Sequence, residues 1–318
     1  MSLPPFLSDA TKGYLYVTIA AVAWASSGTA GKGLFDAGMT PADLVQVRLT
    51  LASLLLACGF GIFDPGLFRI RLRDLSYFLF LGGVVMALVQ LTYFYAISKI
   101  QVVAAILLQY LSPILVAAFS ILFWKERLTP AKVGALILAL AGCYFVVGGY
   151  NLQLLRMNEM GVLGGLASAI SYAAYALLGE RAMHRYSPWT VVFYAMFFAA
   201  VTFHFIHSPF AYVGADYTLS QWAWILYIVL IGTIVPFNLY FHGINYIRST
   251  RAMITATLEP ISAGVLAYLF LGENLEILQI LGIGMVVIAI ALLQLDRERQ
   301  QLAPHSIRVT REAGRTTR

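Results

Sequence analysis

Two stretches that repeat each other decide the fold: Tyr93-Phe94-Tyr95-Ala96-Ile97-Ser98-Lys99-Ile100 and, 147 residues later, Tyr240-Phe241-His242-Gly243-Ile244-Asn245-Tyr246-Ile247. At the same shift Leu111-Ser112-Pro113-Ile114 faces Leu258-Glu259-Pro260-Ile261. Further on, Leu122-Phe123-Trp124-Lys125-Glu126-Arg127-Leu128 faces Leu269-Phe270-Leu271-Gly272-Glu273-Asn274-Leu275. Twelve of the 36 positions from 93 to 128 are identical to their partners. Apolar composition raises such matches, but it does not place a proline and a glutamate in step. At a shift of 148, Trp24 falls opposite Tyr172, and Met39-Thr40-Pro41 falls near Tyr186-Ser187-Pro188.

What repeats is a set of apolar runs. Of 318 residues, 60% are hydrophobic and 11% charged, with a mean hydropathy of +0.79. A soluble domain carries about 25% charged residues, so a soluble enzyme, a disordered hub and a nucleic-acid binder are excluded. A spanning helix needs about 20 mostly apolar residues. Ten such runs are expected, at 13–30, 44–63, 75–97, 102–124, 133–150, 160–178, 189–206, 222–246, 252–271 and 277–295. Asp64-Pro65-Gly66, Thr129-Pro130, Ser187-Pro188 and Ser208-Pro209 punctuate them. Cys58 and Cys143 lie inside runs and suggest neither disulfide nor metal site. The mixed segment 1–12 does not read as a cleavable leader, so the first run is expected to remain as a helix.

Basic residues set the orientation. Seventeen Lys and Arg fall in segments on one side of the predicted runs, against three (Lys32, Lys99 and Arg156) on the other, with Arg48 inside a run. Both termini are therefore expected in the cytoplasm of an inner membrane. The fold class is all-α integral membrane: ten helices as two five-helix repeats at 13–150 and 160–295, between a cytoplasmic N-terminus (1–12) and a basic tail (296–318). The tail reads as a cytoplasmic extension, or as a weak contact for anionic headgroups. An odd number of spans per repeat turns the second upside down. In agreement, the segment after the fourth run is basic and its counterpart after the ninth holds no Lys or Arg. Inverted repeats permit two states of similar energy open to opposite sides, with the substrate near midplane.

The chain resembles the EamA-type transporters of the drug/metabolite transporter superfamily. Trp24-Ala25-Ser26-Ser27-Gly28, Arg48, and Glu126-Arg127-Leu128-Thr129 leading to Gly134 carry the resemblance in the first half. In the second half Leu258-Glu259-Pro260 carries it, with Gly272-Glu273-Asn274-Leu275 leading to Gly282. It covers about residues 13–295. The spacing from glutamate to glycine is eight residues in one half and nine in the other, a departure confined to a turn. The resemblance implies ten helices, two repeats and secondary transport of small organic metabolites, often outward.

Candidate site residues are the polar groups that sit at membrane depth, where they are expensive. Glu259 is the sharpest: Pro260 follows it and frees the Ala256 carbonyl, which suits a proton-coupling or substrate-amine site, or a protonated glutamate satisfied by a neighbour. Pro113, Pro236 and Pro260 are candidate hinges, or kinks of fixed shape. Helical spacing points Trp24, Gln90, Tyr93, Gln109, Tyr172, Tyr175, Asn238 and His242 toward a shared interior as candidate substrate contacts. For the aromatic residues the alternative is packing, and for Gln109 and Asn238 it is interhelical hydrogen bonding. Arg48 either snorkels outward or meets a carboxylate, from a substrate or from Glu273. His204 and His207 read as interfacial polarity. No phosphate loop is present, so ATP is not the direct energy source.

The expected activity is secondary transport of a small polar or amphiphilic metabolite, first of all efflux of amino-acid-like compounds, with proton coupling through Glu259 as an option. Uptake of a quaternary amine such as choline in an aromatic cavity is the alternative; a membrane-embedded lipid-modifying enzyme is the rival of another class. The expected partners are the small-molecule substrate, the bilayer and optionally protons. No nucleic acid, metal or cofactor is expected, and the oligomeric state stays open.

Overall fold

The computed structural model of the chain describes residues 8–100, 102–125, 129–146, 149–150, 158–208, 217–271 and 276–300. Glu126-Arg127-Leu128, Gly272-Glu273-Asn274-Leu275, Arg156, Pro209 and the tail from 301 lie outside them. Among the described residues all regular structure is helical. The order is α1 (Asp9–Asp36), α2 (Pro41–Phe63), α3 (Leu75–Leu79), α4 (Ala87–Lys99), α5 (Val102–Gln109), α6 (Ser112–Trp124), α7 (Pro130–Val146) and α8 (Glu159–Met183). It continues with α9 (Pro188–Ile206), α10 (Leu219–Val229), α11 (Val235–Ala256), α12 (Leu258–Leu271) and α13 (Ile277–Gln300). A π-helical stretch, Phe80–Met86, joins α3 to α4, and another, Leu230–Ile234, joins α10 to α11.

Among the described residues, six stretches are long and apolar enough to cross a bilayer: Pro41–Phe63, Leu72–Ala96, Ala105–Trp124, Glu159–Met183, Pro188–Ile206 and Leu219–Ala256. Pro130–Val146 and Ile277–Leu293 are shorter apolar helices. Their outward faces are greasy. Phe63, Leu122, Phe123 and Phe205 are all exposed, Phe205 to 86%, an arrangement that water penalises and lipid does not. The chain is an all-helical membrane protein.

The sequence repeat reappears as repeated local geometry. Thr40 and Ser187 each cap a helix: the hydroxyl accepts the N–H of Asp43 in one case and of Thr190 in the other, both at 3.2 Å, and Pro41 or Pro188 opens the helix behind it. Proline suits a first turn because its missing N–H is not needed there. At a shift of 147, the first π stretch maps onto 227–233 and overlaps the second. The helix breaks match as well. The regular α-helical ladder is interrupted at Tyr110-Leu111, between α5 and α6, where the Leu111 N–H bonds the Leu108 carbonyl three residues back, and again at Thr257, between α11 and α12 and 147 residues after Tyr110, where the Thr257 N–H bonds the Ile254 carbonyl. Pro113 and Pro260 cause the breaks, since neither can donate to the carbonyl four residues back.

The run at 252–271 is therefore two helical pieces, the end of α11 and the whole of α12. A second interruption lies within α11 at Arg248, whose backbone (φ 70°, ψ 161°) is non-helical. It is held by a fully buried carboxylate, that of Glu180 on α8. Glu180 accepts from Arg248 Nε and from the Ser249 N–H at 2.7 Å. The Arg248 guanidinium also lies 5.3 Å from the ring centroid of Trp124, which closes α6 in the other half.

The halves exchange equivalent contacts. A Cβ on Gly13 of α1 would stand 2.6 Å from Ile247 Cγ2 and 2.8 Å from Tyr246 Cβ. A Cβ on Gly161 of α8 would stand 2.5 Å from Ile100 Cγ2 and 2.9 Å from Lys99 Cβ. Ile100 and Ile247 are repeat partners, as are Lys99 and Tyr246. Thus α1 crosses α11 as α8 crosses the end of α4, with the halves interchanged.

Candidate functional site

Because α12 begins at Leu258, Glu259 stands in its first turn, at the lip of the break. Tyr110 occupies the corresponding break in the other half. Its hydroxyl lies 2.8 Å from Glu259 Oε2 and 3.3 Å from the Ala256 carbonyl oxygen. That carbonyl is the one Pro260 leaves without an amide partner. A phenol carries one proton and can also accept. With Glu259 ionised, Tyr110 donates to the carboxylate. With Glu259 protonated, its O–H donates to the phenol oxygen and the phenol proton turns to the Ala256 carbonyl. Each protonation state thus finds a paired arrangement without moving a helix.

Three further side chains on other helices lie near enough to feel the Glu259 charge. Arg48 on α2 and Tyr93 on α4 are half-buried, and the charges of Arg48 and Glu259 act on each other. Tyr93 feels both, and Tyr172 on α8 feels Glu259. Arg48 has turned inward rather than snorkelling, and its buried Nε has no hydrogen-bond partner among the described residues. Glu273, its other suggested partner, lies outside those residues.

The remaining candidates divide. Trp24 packs on α11, with ring centroids 5.2 Å from Phe237 and 5.4 Å from Tyr240. Tyr172 stacks on Tyr240 at 6.2 Å, so Trp24 and Tyr172 share one aromatic wall. Tyr175 is fully buried and stacks on Phe241 at 5.0 Å, inside the packing. Gln109 donates to Ser168 Oγ at 2.8 Å, an interhelical bond between the two halves. Asn238 donates to the Ile234 carbonyl at 2.8 Å within its own helix. His242 lies 2.7 Å from the Asn238 carbonyl, and its ring meets Tyr16 and Trp189. Gln90 is buried on α4. Pro113 and Pro236 open α6 and α11, the latter directly after a π stretch. His207 is engaged by Asp43 Oδ1 at 2.8 Å, and His204 by the Ala200 carbonyl at 2.8 Å. Tyr110 was not singled out from the sequence. Its signal was there in principle, as the residue 147 positions before the break ahead of Glu259.

Fold and site together define a class: a helical membrane protein with repeated halves and ionisable groups inside its bundle has the build of a membrane transporter. The chain belongs to the EamA-like transporter family, whose profile matches residues 11–148 and again 159–295. It is 31% identical over 304 residues to the uncharacterized inner membrane transporter YicL of Salmonella typhimurium, covering 93% of this chain and 100% of that protein. It is 26% identical over 287 residues to the threonine/homoserine exporter RhtA of Escherichia coli K12, covering 87% and 90%. A solved crystal structure superposes with a TM-score of 0.73 at 18% identity, over 91% of this chain and 99% of that one, which is a likeness of fold.

Proposed function

We propose that this transporter is a proton-coupled secondary exporter of amino-acid-like zwitterions. In this reading it has ten spans in two inverted repeats, 13–150 and 160–295, in the inner membrane with both termini cytoplasmic. One observation carries it: a guanidinium and a carboxylate, Arg48 and Glu259, lie inside the bundle near enough for their charges to act on each other without forming an ion pair, and the buried Arg48 Nε has no hydrogen-bond partner among the described residues. A zwitterion presents the complement, a carboxylate for Arg48, which is suited to bidentate pairing, and an ammonium for Glu259. Tyr110 keeps Glu259 hydrogen-bonded both with and without its proton. The carboxylate can then hold the substrate ammonium in one half-cycle and a proton in the other, which couples outward transport to inward proton flow. The relative named as a threonine/homoserine exporter supports the same substrate class.

The aromatic wall of Trp24, Tyr172 and Tyr240 favours a second reading, uptake of a quaternary amine such as choline by cation–π contact. Proteoliposomes loaded with labelled threonine or labelled choline separate the two. Threonine efflux is expected to accelerate when the exterior is made acidic. Glu259→Gln abolishes that acceleration, and Arg48→Gln lowers threonine transport while sparing any choline movement. Threonine transport by Glu259→Gln with the pH dependence of the native chain would remove the carboxylate from coupling. Movement of choline alone would favour the second reading.

A further inference from the structure

The segments before α3 and after α8 were read from the sequence only as carriers of orienting charge. In the structure they meet at one end of the bundle and form an open notch of about 440 Å³, lined among others by Arg73, Asp74, Tyr77, Arg181, Arg185 and Tyr186. Its walls are tied. Tyr186 donates to Asp74 Oδ2 at 2.6 Å and accepts the Arg71 N–H at 3.2 Å, while Tyr77 donates to the Leu178 carbonyl at 2.7 Å. Burial and then the Asp74 carboxylate push the Tyr186 phenol well above its ordinary range, so it stays a neutral donor. Asp74 is spent on Tyr186 and on Arg185 at 3.4 Å. Arg73 and Arg181 have no acidic partner among the described residues. Burial, then Arg248, hold His184 below its usual value, so it adds no charge to offset.

Both unpaired arginines stand at the head of outward apolar faces. Around Arg73, Leu72, Leu75, Leu79 and Phe80 all present exposed apolar surface, Leu72 to 88% and Phe80 to 51%. On α8, Ile170 and Leu163 lie 11 and 18 residues before Arg181, which is three and five full turns, and they are 61% and 59% exposed. A cationic notch above lipid-facing apolar surface matches an amphiphile with an anionic head and hydrocarbon tails.

We propose that this notch binds the phosphate headgroup of an anionic phospholipid, with Arg73 and Arg181 on the phosphate and the acyl chains along the outward faces of α8 and the α3 segment. Guanidinium groups pair with phosphate oxygens in the fork geometry that ammonium groups lack. Basic pockets between helices are where anionic headgroups lodge on membrane proteins. The site is independent of what the protein transports, because its test reads binding alone.

The full-length protein, purified in detergent and delipidated, is titrated with phosphatidylglycerol, phosphatidylcholine or inorganic phosphate and read by native mass spectrometry. Phosphatidylglycerol is expected to be retained and phosphatidylcholine stripped, and millimolar inorganic phosphate is not expected to displace the lipid. The double variant Arg73→Gln/Arg181→Gln is expected to bind phosphatidylglycerol about thirtyfold more weakly, and the Arg73→Lys/Arg181→Lys variant, which keeps the charge and loses the fork, to recover only part of the loss. Equal retention of phosphatidylcholine by the native chain overturns the proposal without any variant. Unchanged binding by the glutamine variant overturns it too. Displacement by inorganic phosphate would mean that the notch takes a soluble anion and would overturn the lipid assignment.

Discussion

A tyrosine hydroxyl stands between a carboxylate and an orphan carbonyl, 2.8 Å from Glu259 Oε2 and 3.3 Å from the Ala256 oxygen. Without Tyr110, Glu259 keeps its charge partner Arg48 but loses its hydrogen-bond donor, and the Ala256 carbonyl loses its 3.3 Å contact with the phenol. Tyr110→Phe preserves ring volume and removes only the oxygen. A hydrogen bond to a charged group contributes about 1.5–3 kcal/mol, so under the proposed coupling gradient-driven export by this variant should fall about tenfold or more, while the folded protein is still recovered with a modestly lowered thermal midpoint. Transport within twofold of native would show that the hydroxyl is spectator packing. Glu259 itself is legible from sequence, since a glutamate followed by proline in an apolar run has few innocent explanations. Tyr110 is not. A tyrosine in an apolar run is ordinary, and its partner stands 149 residues away. Arg48 is intermediate: the sequence marks a charge inside a span, but whether a long side chain turns outward or inward depends on the neighbours it finds.

At the scale of the element, the prolines do more than bend helices. Pro113 and Pro260 end one helix and start another, which leaves the polar ends of helices inside the bundle at Tyr110 and Thr257. Glu180 performs a related task at Arg248, where it satisfies the Ser249 N–H that the non-helical turn exposes. Glu180→Ala would strand a half-buried guanidinium and a buried amide. Breaking a buried ion pair by removing one partner costs about 3–5 kcal/mol, and thermal unfolding in detergent should register a loss of that order. A loss below about 1 kcal/mol, the range of exposed pairs, would mean the turn is held by packing instead. The expected run at 160–178 stopped short of Glu180 because α8 continues to Met183 through residues too polar for an apolar window. Its role was hidden for that reason, and the π stretches were hidden because no composition signals a fifth-residue hydrogen bond.

Across the whole molecule, the matched crossings at Gly13 and Gly161 argue for halves related by a pseudo-twofold operation. If the repeats are inverted in the bilayer, Lys125 and Glu276, which follow α6 and precede α13, lie on opposite faces. Single cysteines at 125 and 276, in a chain whose exposed Cys58 is replaced by serine, should be labelled by impermeant maleimide from opposite sides of sealed vesicles. Labelling from one side would dismantle the inverted arrangement and alternating access with it.

By itself the sequence determined that this chain lives in lipid, that it is helical, that it is built from a repeated unit, and that Glu259-Pro260 is an anomaly inside it. Those are properties of composition and period, which survive without knowing who touches whom. Only the tertiary structure decided that Tyr110 and Arg48 join Glu259, that Tyr175 and Gln109 serve packing and interhelical bonding, and that two loops of orienting arginines close into one basic notch. Each of these depends on which helices are neighbours, and neighbours more than a hundred residues apart are chosen by the packing of the entire bundle, not by any local pattern.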